Sequence, residues 1–136
     1  MLFLLALAAS TQIFSPPSIA GKYVAVTETE YEITLTLAPN GRANYYFVAW
    51  EADDPGPKHH EKMFGKWSRL GNTLTVKLSS GNTAIYTVVP CLSYQEFGEA
   101  GCSSGLSLVK TTLANNYGLS RFGLWNAASL KFGVQP

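Results

Sequence analysis

The chain has 136 residues and a formal net charge of +1, with ten Lys and Arg against nine Asp and Glu. That near balance, with no segment that clusters basic residues, excludes the electrostatic footprint of a nucleic-acid binder. With 46% apolar and 12% aromatic residues, the composition is that of one folded domain and excludes a disordered chain.

Residues 1–20 carry no charged side chain. Residues 2–9 form an apolar run shorter than the roughly 20 residues a membrane helix needs. Pro16 and Pro17 break any helix there. Ser18, Ile19 and Ala20 then place small residues at the −3 and −1 positions of a cleavage site before Gly21. The expectation is a secretory signal peptide over 1–20 and a single domain over 21–136. The leader departs from the usual pattern in having no Lys or Arg after Met1, and no Cys at the cleavage point offers a lipid anchor. No membrane span is expected elsewhere.

Residues 21–26 read as a first strand. Glu28, Glu30 and Glu32 follow at strand spacing and project from one face, a solvated face opposite the apolar row Tyr31, Ile33, Leu35. That row, continued by Leu37, alternates with Glu32, Thr34 and Thr36, the period of a strand with one face in a core. Pro39, Asn40 and Gly41 make a turn. Residues 42–50 are rich in aromatic and β-branched side chains on both faces. If Tyr45 and Phe47 face inward, then Tyr46, Val48 and Trp50 face outward, where aromatic rings with polar tips mark a binding surface.

Residues 51–61 read as a polar loop broken by Pro55 and Pro57. It holds Asp53, Asp54, His59 and His60, and the two histidines are the only ones in the chain. Imidazole and carboxylate suit zinc or copper, but neighbouring histidines on an extended segment point opposite ways. No metal site is therefore assigned, and metal binding stands below the other readings. Tyr46, Trp50, Asp53, Asp54, His59 and His60 are instead expected to form one binding rim.

Strand patterns resume over 63–70, where Gly65 marks a bulge or a close approach and Trp67 packs as core. Gly71-Asn72 turns the chain into Leu74, Val76 and Leu78, and Ser80-Gly81 turns it into Ala84, Tyr86 and Val88. Pro90 is expected to end that strand.

Residues 31–89 resemble the N-terminal domain of the NlpE-type copper-resistance lipoproteins of bacterial envelopes, and other small lipocalin-like barrels. The matching pieces are Ile33-Thr34-Leu35-Thr36-Leu37, the Asn40-Gly41 turn, Gly65-Lys66-Trp67 and Leu70-Gly71-Asn72-Thr73-Leu74-Thr75-Val76. The family's Cys-x-x-Cys is absent, with Thr27-Glu28-Thr29-Glu30 in that region, and so is its lipid-bearing Cys. The resemblance therefore implies the fold and an envelope setting, and no copper ligands.

Cys91 and Cys102 fall in what reads as a loop after the sixth strand. Two cysteines in an exported chain are expected to pair as a disulfide; Glu96 and Glu99 nearby oppose a redox role. Further strands are expected over 105–113 and 119–125, and a last short one over 127–132. The expected fold is thus all-β, an antiparallel meander closing into a small lipocalin-like barrel of about eight strands.

The two histidines have no third catalytic partner in reach by sequence, and no Gly-rich phosphate loop precedes a helix. The sequence therefore points away from an enzyme and calls for no cofactor. It points to a secreted or periplasmic binding module that meets an envelope or secreted protein as inhibitor, immunity or stress-response partner. The alternative is a lipocalin-like carrier of an apolar small molecule. Large inward residues (Tyr31, Tyr45, Phe47, Trp67, Tyr86) argue for a plugged interior over an open calyx.

Overall fold

Each hairpin of the meander forms, and the first and last strands join to close it. The computed structural model describes residues 18–26, 31–49, 59–113, 119 and 123–131. Its strands are β1 (Gly21–Val26), β2 (Tyr31–Leu37), β3 (Arg42–Ala49), β4 (His59–Leu70), β5 (Thr73–Leu78), β6 (Thr83–Ser93), β7 (Cys102–Thr111) and β8 (Leu124–Asn126). They form one closed barrel in sequence order, antiparallel throughout, with β8 beside β1.

Alternation dictates which side chains fill it. Ile33, Leu35 and Leu37 of β2, Tyr45 and Phe47 of β3, Leu74 and Val76 of β5, and Ala84 and Tyr86 of β6 are all buried in one core. Each fully buried Leu, Ile or Phe contributes about 1.5–3 kcal/mol relative to exposure. Tyr45 stacks on Phe47 with ring centroids 5.2 Å apart. Tyr45, Phe47 and Tyr86, three of the large residues expected inward, thus occupy part of the interior.

Two glycines are required by geometry. Gly41 closes the β2–β3 turn at φ +89°, a conformation side chains avoid. Gly65 lies against β5, where a Cβ would sit 2.1 Å from the Lys77 carbonyl oxygen, so the expected close approach is one of backbone. Trp67 packs against the core half-buried and donates its Nε1–H to the Ala38 carbonyl at 2.8 Å.

Several boundaries differ from expectation. β6 runs through Pro90 to Ser93, and its pairing with β7 shifts register between Val89 and Leu92. Pro90 sits in that irregular stretch, where its missing N–H removes no regular ladder bond. Cys91 and Cys102 therefore lie on adjacent strands instead of in a loop, bonded with Cα atoms 5.0 Å apart. The strand expected over 119–125 is short, Leu124–Asn126. Residues 127–129 form a turn instead of a strand, because the Asn126 side-chain oxygen accepts the N–H groups of Ala128 and Ser129.

Beyond the disulfide the β6–β7 connection folds back on the barrel. Trp125 stands in register with Val24 and Gly105, opposite in phase to the inward Tyr23. Phe97 meets the Trp125 ring edge-on at 5.2 Å, Tyr94 packs beside it, and the indole Nε1–H donates to the Leu92 carbonyl at 3.0 Å. A second apolar layer thus covers the outside of β8. At the start of the described chain, Ile19 packs into the core and its carbonyl accepts the Tyr23 hydroxyl at 2.8 Å. Residues 1–17 of the expected signal peptide lie outside the described residues.

Candidate functional site

β3 and β4 pair over their full overlap, with Tyr46 opposite Lys62 and Val48 opposite His60. Even-numbered residues of both strands point outward, since Tyr45 and Phe47 fill the core. This register gathers Tyr46, His60 and Lys62 on one outer patch. The Tyr46 hydroxyl and His60 Nδ1 hydrogen-bond at 2.5 Å, their rings 5.7 Å apart. With Nδ1 unprotonated the phenol donates; with Nδ1 protonated it accepts. The Lys62 ammonium lies 5.5 Å from the Tyr46 ring centroid, within cation–π range.

Two expectations about this region change. His59 and His60 belong to β4 and not to the preceding loop. A strand whose outward side faces water tolerates polar residues there, so their polarity misled. Val48, outward in phase, is buried instead of exposed, as is its outer-face neighbour Thr34. The outward row is thereby reduced to a half-buried Tyr46 and an exposed His60. His59, one residue earlier, points to the opposite face by strand alternation, so the two imidazoles do not converge on one ion. Among the described residues no group of three or more His, Cys, Asp and Glu could hold a metal. Trp50, Asp53 and Asp54 lie outside the described residues.

The interior offers different chemistry. The hydroxyls of Tyr45 and Tyr86 hydrogen-bond to each other inside the core. Burial raises the Tyr45 phenol well above its usual range, partly offset by the bond to Tyr86. Burial raises Tyr86 as well, reinforced by Tyr45. Both remain neutral phenols with their polar atoms turned to each other.

A feature invisible in the linear sequence emerges beside the Tyr46 patch. Arg42 stands opposite Lys66, and Lys66 opposite Lys77, so three strands carry exposed cations in a single lateral row. Strand spacing sets neighbouring Cα atoms about 5 Å apart. None of the three cations has an ion-pair partner among the described residues. Like charges directly opposite destabilise a sheet. The row is an unneutralised positive strip flanked by Phe64, which is 56% exposed.

Among the described residues no helix is long and apolar enough to cross a membrane. Comparisons with protein-family models, with curated proteins and with solved structures find no match for this chain.

Proposed function

We propose that the protein is a non-catalytic binding module, exported to the periplasm or secreted, that meets a partner protein through the outer face of β3 and β4. The observation that carries this reading is the Tyr46–His60–Lys62 cluster: an aromatic ring, an imidazole and an ammonium held together on the outside of a packed barrel. Tyr is enriched at interface centres, where truncating an anchor costs about 2 kcal/mol or more. The Cys91–Cys102 disulfide suits an oxidising compartment, and the NlpE-like resemblance suggests the same envelope setting. The carrier alternative is disfavoured by Tyr45, Phe47 and Tyr86 occupying the interior.

Site-specific photo-crosslinking tests the reading. A benzophenone side chain at Thr36, on the outer face of β2 near the patch, is compared with one at Thr87, exposed on β6. One discrete crosslinked protein from Thr36, absent from Thr87 and lost with Tyr46→Ala, is the expected result. Equal labelling from both positions removes the assignment.

A further inference from the structure

β4 has 12 residues and its neighbour β5 has 6. β5 stops at Leu78, opposite Gly65, and the chain turns away toward β6. On an antiparallel strand, each residue aims both backbone groups at the same neighbour, and successive residues alternate sides. The Trp67 N–H bonds to the Gly41 carbonyl on the β3 side, which sets the odd-numbered residues of β4 toward β3. The Ser79 N–H bonds to the Phe64 carbonyl, which sets the even-numbered residues toward β5. The N–H and C=O of His60 and Lys62, and the N–H of Phe64, therefore open to a side where no described strand lies.

The space beside them is a slot of about 300 Å³. Met63, Phe64 and Leu78 give it apolar walls, and Ser79, Ser80 and Asn82 of the β5–β6 turn close its end. Lys62 stands on its outward side, and the row Arg42, Lys66, Lys77 continues past its end. Glu61 lines it too, from the inward-facing side of β4.

The geometry points to the open edge of β4, residues 60–64, as a strand-addition site for an extended segment of a partner protein. Main-chain bonds would supply affinity and alternate side chains specificity. Outward side chains of an added strand stand beside Lys62 and the cationic row, so they are acidic. Inward ones meet Met63 and Leu78 beside Glu61, so they are uncharged and largely apolar. A second copy of this chain is the wrong occupant, because antiparallel pairing of β4 with β4 sets Lys62 against its own copy or against His60, with no acidic side chain on the outward face to answer it. The inference rests on the reading of the protein as a binding module and assigns the chemistry of its partner.

The probe is a fluorescein-labelled peptide of about eight alternating Glu and Val residues with blocked ends, followed by anisotropy on the full chain. It is expected to bind at least about tenfold tighter than the alternating Lys–Val peptide. In antiparallel addition the residue opposite Lys62 shares its outward face and aims its backbone at β4, so the Glu N–H groups make the bonds. N-methylation of the Glu residues should weaken binding by about tenfold or more, while N-methylation of the Val residues is tolerated. Lys62→Pro deletes a slot-facing N–H without touching the β3 ladder. It should bind several-fold more weakly than Lys62→Gln, with an unchanged circular-dichroism spectrum for both. No binding of the acidic peptide, or equal effects of the two N-methyl series, overturns the proposal. So does single-stranded oligothymidylate that binds as tightly and is indifferent to Lys62→Pro, because a polyanion of another class would then own the face. A crosslinked partner at Thr36 without peptide binding leaves the binding-module reading standing and removes this site alone.

Discussion

The hydroxyls of Tyr45 on β3 and Tyr86 on β6 find each other across the packed interior of the barrel. Two buried phenols satisfy one another there, which makes the pair more consequential than either member. Removing one hydroxyl strands the other, whereas removing both leaves an apolar core of nearly the same shape. Tyr45→Phe and Tyr86→Phe should each cost about 1–3 kcal/mol, and the double variant less than their sum. Urea denaturation of the four proteins completes the cycle, and additive losses would show that the pair is not coupled.

The same pair sets an alkaline limit. Both phenols are raised in the folded chain, so the unfolded chain gives up these protons first, near the ordinary phenol value of about 10. Stability contributed by keeping them protonated is complete below that pH and falls as pH rises above it, by about 1.4 kcal/mol per unit for each group. Denaturation midpoints should therefore drop above about pH 10 in the wild type and drop less steeply in the double Phe variant.

The lateral row predicts a trade between stability and binding. Lys66→Glu places a carboxylate between Arg42 and Lys77 and replaces two repulsions by two attractions. Thermal denaturation should show a gain of about 0.5–1 kcal/mol at low salt that shrinks as salt is raised. A loss of stability would mean that the row is neutralised by other groups.

Gly65→Ala tests the contact between β4 and β5. A methyl group there meets the Lys77 carbonyl far inside van der Waals distance, and the obstacle is backbone. The strands must separate, so a loss of about 2–4 kcal/mol or failure to fold is expected. Ser68→Ala, exposed on the same strand, should change little. Parity between the two would contradict the packing.

Breaking the Cys91–Cys102 bond should cost about 2–3 kcal/mol in the chain-entropy model for a loop of this length. It should also loosen the layer that Tyr94 and Phe97 lay over Trp125. Acrylamide quenching of tryptophan in the double Cys→Ser variant should rise relative to wild type. Unchanged quenching would show that the layer holds without the staple.

The hairpins were legible because each was written twice, once in the alternation of Ile33, Leu35, Leu37 or Leu74, Val76, Leu78 and once in the turns Asn40-Gly41, Gly71-Asn72 and Ser80-Gly81. Where one code was missing, boundaries slipped. His59 and His60 look like a loop because an outward face needs no apolar residues, yet the ladder with Val48 and Ala49 holds them in β4. Pro90 looks like an end because its tolerance depends on a register shift that only pairing reveals. Tyr46 was visible as a surface aromatic, but its bond to His60 required knowing which residues of β3 and β4 stand level. The cationic row was hidden for the same reason: Arg42, Lys66 and Lys77 meet only once three strands are in register.

Ile19 ties the expected cleavage position to the barrel core. In the closed barrel its side chain is part of the core, its carbonyl holds the Tyr23 hydroxyl, and Gly21 is already paired with Leu37. The peptide bond between Ala20 and Gly21 then lies between a core residue and a paired strand, and unpaired, extended chain at that point exists only before β1 docks. Cleavage at the position expected from the sequence would take Ile19 out of the core, so it would have to come before closure. A chain that closes with residues 18–20 in place keeps Ile19 in its core.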